Sequence, residues 1–390
     1  MLEDWFIILQ LTDLALLIIS YYVVVDIMKA LVVVTGRGLG GDAVIGLNII
    51  KSLEAKGVQC EIALDSSAQG ILFEKNGYSW HRISVPQAGG HAASKITTLK
   101  AGLRTIKASF QCRSLIKKIK ADVVVGIIGG GAVVGCLAAK LARTPAVGIL
   151  STPLDTKVCT KLNKCIIFPE AHMFRQKTIP PNVIKSYFPV QSNILKGDKN
   201  KAIFKIKEHC KRAVAKNPKA LDFDENKKTI LFSSGSTIFE KMARAVSDYS
   251  KLTDKYNIVL VGLPLEDEYY NWFNPENMIY LSYIDWIKDL YEIVDLAVLT
   301  DDGMMLSEAM MCHLPTIALL RVKYGRYHNM KEVFQDAVFE ADNENLAETI
   351  EEVISKLDFV KSKTVVYGDK IAKSEGLIAE TIIDEVKHKD

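Results

Sequence analysis

From Leu31 onward, short runs of β-branched and aliphatic residues alternate with longer amphipathic stretches, and this rhythm constrains the fold more than any other feature. Strands that read as continuous apolar runs are buried on both faces. They therefore belong to parallel sheets covered by helices, assembled from repeated βαβ units. The runs Leu31–Thr35, Gln59–Leu64, Val123–Ile128, Ala146–Leu150 and Lys164–Phe168 predict one such sheet. Thr229–Ser233, Ile258–Val261, Met278–Tyr280, Leu296–Thr300 and Thr316–Leu320 predict a second, with helices such as Phe239–Leu252 and Asn345–Leu357 between and after them. The lysine-rich stretch Lys196–Lys228, punctuated by Asn and Asp, reads as an interdomain insertion with a helix of its own. A chain of 390 residues is long enough to bury two cores. The expectation is an α/β fold of two Rossmann-like parallel-sheet domains facing a cleft. Residues 28–190 form the first domain, 191–228 a linker, 229–365 the second domain and 366–390 a C-terminal helix.

A formal charge of +3 with 24% charged residues carries no polyanion signature, so nucleic acid is not expected as a partner. The cysteines (Cys60, Cys112, Cys136, Cys159, Cys165, Cys210 and Cys312) are odd in number and contain no C-x-x-C. That pattern suits reduced thiols rather than a zinc site or a disulfide framework.

The N-terminus breaks the α/β rhythm. Trp5–Val25 is almost continuously apolar and long enough to cross a bilayer. Asp13 near its middle costs about 2.5–3.5 kcal/mol, which the surrounding Leu, Ile and Val can outweigh. Glu3 and Asp4 precede the stretch and Lys29 follows it, so the positive-inside rule leaves the body of the protein in the cytoplasm. The leading charges are negative and no small-residue cleavage site follows, which argues against a secretory signal. Two readings of residues 1–27 stay open. They form a transmembrane anchor, or translation starts at Met28 and runs straight into the first strand.

Chemistry concentrates in the loops. The first strand runs into Gly36-Arg37-Gly38-Leu39-Gly40-Gly41-Asp42 and then a helix, where glycines allow close backbone approach and the helix N-terminus offers N–H groups. Gly36, Gly38 and Gly41 fit G-x-G-x-x-G, and Asp65 ends the second strand, which keeps an NAD-dependent oxidoreductase in play. Asp42 is expected to cap the helix whether or not it does chemistry. In the second half, Ser234-Gly235-Ser236-Thr237 reads as a hydroxyl-rich turn into a helix, a cradle for a diphosphate. Asp301-Asp302-Gly303 opens another helix that carries Ser307 and Glu308, so its backbone can face a phosphate while Glu308 reaches ribose hydroxyls. The paired aspartates read as helix initiators, and no metal is expected. A polar run, Lys323 to Met330, follows the strand Thr316–Leu320.

With these segments in place the chain resembles the MurG family, the UDP-N-acetylglucosamine transferases of glycosyltransferase family 28, over most of Lys29 to about Leu357. Gly303-Met304-Met305-Leu306-Ser307-Glu308 is similar to the family's donor segment, Ser234-Gly235-Ser236 to its G-G-S loop, and Gly129-Gly130-Gly131 to its second glycine loop. Gly40-Gly41-Asp42 stands on its N-terminal G-G-H. The resemblance implies a GT-B fold and inverting transfer of a sugar, with N-acetylglucosamine expected, from a UDP donor to a lipid-linked acceptor in envelope glycan synthesis. The work is placed at the cytoplasmic face of the membrane, with no cofactor. It implies donor contacts from Ser234, Gly235, Ser236, Gly303, Met304, Ser307, Glu308, Arg326, Asn329 and Gln191, and acceptor contacts from Gly38, Gly40, Gly41, Gly129, Gly130 and Gly131. The family's basic histidine is Asp42 here, so Asp42 and His91, in Gly89-Gly90-His91, are the candidate bases. Gln191 stands where an arginine is usual, Arg326-Tyr327 replaces a glutamine pair, and Leu150-Ser151-Thr152-Pro153 replaces H-E-Q-N, which points to a different acceptor.

Lys95–Lys120 holds eight Lys or Arg and no acid, interleaved with Ile96, Leu99, Leu103, Ile106, Phe110, Leu115, Ile116 and Ile119. It is either a packed helix with a solvated basic face or a surface that lies on anionic lipid. A UDP-sugar 2-epimerase of the same fold and a non-catalytic membrane scaffold complete the alternatives.

Overall fold

The computed structural model describes residues 27–34, 40–85, 95–323 and 329–387, without the side chains of 95–101. The first domain runs β1 (Lys29–Val34), α1 (Gly41–Glu54), β2 (Gln59–Asp65), α2 (Ile71–Lys75), β3 (His81–Ile83), α3 (Lys95–Ile119), β4 (Val123–Ile127), α4 (Ile128–Ala142), β5 (Ala146–Leu150), α5 (Pro153–Cys159), β6 (Lys164–Ile167) and β7 (Val183–Lys185). These strands form one sheet in the order β3-β2-β1-β4-β5-β6-β7, every pair parallel. α6 (Lys199–Lys216) crosses to the second domain and supplies the helix expected within 196–228.

The second domain runs β8 (Thr229–Ile238), α7 (Glu240–Ser250), β9 (Asn257–Pro264), β10 (Ile279–Tyr280), α8 (Ile287–Tyr291), β11 (Leu296–Thr300), α9 (Met304–Met311), β12 (Thr316–Leu319), α10 (Met330–Phe334), β13 (Val338–Ala341), α11 (Leu346–Ser355) and α12 (Leu357–Ala372). Its parallel sheet has the order β10-β9-β8-β11-β12-β13. β3, β7 and β13, of three or four residues each, are additional to the strands expected from the sequence.

α13 (Ser374–Lys387) returns to the first domain. Its Ile378, Ala379 and Ile382 are buried in the same apolar cluster as Ile49, Val125 and Ile149. Ser52 Oγ donates to the Glu375 carbonyl at 3.1 Å, and the Lys56–Glu380 pair closes at 3.1 Å. A C-terminal crossover of this kind joins two parallel-sheet domains into a GT-B fold. Helix α4 lies unusually close to the sheet: a Cβ on Gly126 would meet the Ala132 backbone at 2.8 Å, and one on Gly135 would meet Gly126 Cα at 3.0 Å.

Two local expectations are corrected. Asp42 does not cap α1, because the N-cap is Gly40, whose φ of 92° suits glycine, and Asp42 lies in the first turn. Ser234–Thr237 is no turn at the head of a helix. β8 continues through a bulge between Ser233 and Thr237 to pair again with Leu263 and Pro264, and α7 begins only at Glu240. The Ser233 hydroxyl makes this bulge stable, donating to the Val261 carbonyl at 2.9 Å and accepting from Gly235 N–H at 3.1 Å. Among the described residues no helix is long and apolar enough to cross a membrane, and Trp5–Val25 lies outside them.

Candidate active site in the interdomain cleft

In open parallel sheets, ligands bind beyond the carboxyl ends of the strands where the strand order reverses. The first sheet reverses between β1 and β4, and the second between β8 and β11. Gly40, Gly41 and Asp42 follow β1, and Gly129, Gly130 and Gly131 follow β4. Ser234, Gly235 and Ser236 follow the Ser233↔Leu299 register point, with Gly303 just beyond β11. Most of the predicted loops thus converge at the two switch points.

On the first domain the glycine loop is fastened from within. Gly129 has φ 58° and ψ −126°, and its N–H donates to Asp155 Oδ2 at 2.8 Å. The same buried carboxylate accepts from Thr152 N–H at 3.0 Å and Ser151 N–H at 3.4 Å, forming a capping box with Thr152. Burial pushes the Asp155 pKa up, while these hydrogen bonds, that of Gly129 first, pull it down. Gly129 N–H is therefore committed to holding β4's loop against the Ser151-Thr152 segment. Asp65, the candidate for a nicotinamide cofactor's ribose, is instead bonded to Ser67, whose N–H it accepts at 2.9 Å and whose hydroxyl it also accepts.

On the second domain, Gly303 is the N-cap of α9 with φ 95°, a conformation that glycine enters without strain. Ser233 Oγ also lies 3.4 Å from Met305 Sδ, bringing the β8 bulge against α9. Ser234 Oγ is used within the loop, donating to the Thr237 carbonyl at 2.8 Å and accepting from Phe239 N–H at 3.2 Å. Ser236 is exposed and Ser307 is buried. Glu308 is half-buried; Tyr291 OH donates to its Oε2 at 3.3 Å. Burial raises the Glu308 pKa, and the tyrosine hydrogen bond partly offsets it. Asp302 is paired with Lys323 at 2.7 Å, and Asp301 accepts from Arg321 N–H at 3.1 Å. Among the described residues no group of three or more His, Cys, Asp or Glu is placed to hold a metal.

Asn329 caps α10, accepting from Glu332 N–H at 3.1 Å, and Gln191 precedes the 3-10 turn Ser192–Leu195. Gly38, His91 and Arg326 lie outside the described residues. Three residues at or beside the cleft escaped the sequence reading: Asp155, Tyr291 and Glu170. Glu170 Oε1, just after β6, accepts from Gly303 N–H at 2.6 Å across the cleft. Its only sequence signal is position at the carboxyl end of a core strand. Nearby, Arg175 bonds Glu332 at 3.1 Å, and Tyr187 packs on Phe334 with centroids 5.8 Å apart.

The profile of the glycosyltransferase family 28 N-terminal domain matches residues 32–147. A UDP-N-acetylglucosamine–N-acetylmuramyl-(pentapeptide) pyrophosphoryl-undecaprenol N-acetylglucosamine transferase from Thermodesulfovibrio yellowstonii is 24% identical over 362 residues, covering 85% of this chain and 91% of its own. The chain is thus similar to the MurG-type transferases of glycosyltransferase family 28 along most of its length. The MurG of Acinetobacter baumannii superposes with a TM-score of 0.61 at 14% identity, covering 92% of this chain and 99% of that one. The UDP-GlcNAc 2-epimerase of Neisseria meningitidis, bound to UDP-GlcNAc, does so with a TM-score of 0.60 at 15% identity, covering 92% and 100%. At that identity the two structures speak for the GT-B fold alone, and a MurG-like chain shares it with an epimerase.

Proposed function

We propose that this MurG-like protein transfers a sugar, N-acetylglucosamine in the first instance, from a UDP donor to a lipid-linked acceptor at the cytoplasmic face of a membrane. The observation that carries the donor half is the pairing at the second switch point of a helix N-terminus capped by Gly303 with Glu308 about one and a half turns along α9. N–H groups at a helix N-terminus stabilise the charge that develops on a departing UDP, and the carboxylate accepts from ribose hydroxyls. Gly235 and Ser236 in the β8 bulge, Met304, Ser307 and Gln191 complete the donor surface we assign, together with Asn329 and Arg326. The acceptor lies on the first domain by the loops of Gly38 to Asp42 and Gly129 to Gly131. Asp42 or His91 serves as base for inverting displacement, and the leaving group is stabilised without a metal.

The membrane half rests on α3. Its inward face, Ala108, Cys112, Leu115 and Ile116, is packed in the first domain, whereas Leu103, Ile106 and Phe110 are 64%, 55% and 53% exposed on the face opposite. Three large apolar side chains at i, i+3 and i+7 among Arg104, Lys107, Lys117 and Lys118 suit a peripheral contact with anionic lipid. Calorimetry with UDP and UDP-N-acetylglucosamine tests the donor site. Glu308→Ala should weaken UDP about ten- to hundredfold, the value of a charge-assisted hydrogen-bond pair. Equal affinity in variant and parent would remove Glu308 from the site, and conversion of UDP-N-acetylglucosamine without an acceptor would favour the epimerase.

A further inference from the structure

The contact between Glu170 and Gly303 joins the two domains at the point where the donor's diphosphate is assigned. The carboxylate reaches 2.6 Å from Gly303 N–H, from a residue 133 positions away in sequence and on the other sheet. Gly303 caps α9, whose eight residues add their dipole to that N–H. A carboxylate at a helix N-terminus makes the same kind of bond as a phosphate does there. The segment that carries Glu170 is itself fixed to the second domain, by Arg175 on Glu332 at 3.1 Å. Beyond it runs an aromatic chain, Phe174 to Tyr187 at 5.9 Å, Tyr187 to Phe334 at 5.8 Å and Phe334 to Tyr367 at 5.3 Å. Glu170 is thus held over α9 by a strap with several anchors.

We propose that Glu170 is an internal stand-in for the donor phosphate, seated in the cradle while the cleft is unliganded and displaced when a nucleoside diphosphate enters. The inference rests on the donor-site reading above and adds a competitor to it. One N–H cannot serve two anions, and a carboxylate beside an arriving diphosphate meets charge repulsion. The diphosphate wins because it brings more charge and more acceptor oxygens. Glu170 then withdraws to the first domain, while Arg175 and the aromatic chain keep the domains in register. The parked carboxylate lowers the apparent affinity for UDP by the fraction of molecules in which it must first leave.

Calorimetric titration of the full chain with UDP, comparing the parent with Glu170→Gln and Glu170→Asp, decides the matter. Glutamine offers only a neutral acceptor, and aspartate is one methylene shorter than the span requires. Both variants should bind UDP about three- to tenfold tighter than the parent, as expected when a competing charge-assisted hydrogen bond is weakened. Thermal melts establish that each variant is folded, and the two changes are independent enough that one failing to fold leaves the other informative. Unchanged or weaker UDP binding in a folded variant overturns the stand-in role while leaving the donor site in place. Failure of the parent itself to bind UDP overturns the donor-site reading and this inference together.

Discussion

Glu308 answers to two opposed demands. The donor role proposed for it favours its charged form, whereas burial disfavours that form and raises its pKa above the ordinary 4.5. A carboxyl whose folded pKa lies above its unfolded one contributes stability below the unfolded value, and that contribution is lost as pH rises through the folded value. Denaturant midpoints for the parent should therefore fall relative to those of Glu308→Gln as pH is raised from about 4 to 8. The variant should be the more stable at neutral pH even though it binds UDP less well; a constant difference across the range would show that Glu308 is ordinarily solvated. Glu308 and Gly303 were legible in the sequence because a glycine at a helix entry with a carboxylate at helical spacing is a local pattern. Glu170 and Asp155 were not. Each works through a partner 133 or 26 positions away, and nothing in the local sequence reports that partner.

At the scale of elements, ten strands were legible from their apolar runs, and β3, β7 and β13 were not. β8 shows where local reading fails. Ser234-Gly235-Ser236 carries turn-forming residues, yet the pairing of Thr237 and Ile238 with Leu263 and Pro264 outweighs their preference and converts the turn into a bulge. For α3, one face is packed as the first reading expected, and three large apolar residues stand exposed on the other, where the proposed lipid contact would lie. In a chain starting at Met28, replacing Leu103, Ile106 and Phe110 by Ser should lower partitioning onto anionic vesicles tenfold or more, on the order of what losing three half-buried apolar side chains implies. The inward face is untouched, so the melting temperature should hold. Vesicle binding that survives the triple change and responds only to salt would assign the contact to the lysines alone.

The whole molecule is a pair of domains joined twice, once through α6 and once through α13. If helix N-termini rather than a cation carry the leaving group, transfer should persist in excess EDTA. Activity lost to chelator and restored by magnesium or manganese would instead bring Asp301 and Asp302 back as ligands. Ile382→Ala, although 353 positions from Lys29, should destabilise the first domain by about 2–4 kcal/mol through the cavity it leaves. Hydrogen exchange should then quicken in β4 and β5 rather than in β8 or β11. The same arrangement governs the order of events during synthesis. The sheet of β1 to β7 leaves the ribosome early, but the side chains that seal it against α1 lie on residues made some two hundred positions later. Until α13 emerges, the first domain carries an open apolar seam. A chain arrested after residue 372 would hold a complete second sheet beside a first domain exposed to chaperones, proteases and its own neighbours on the polysome.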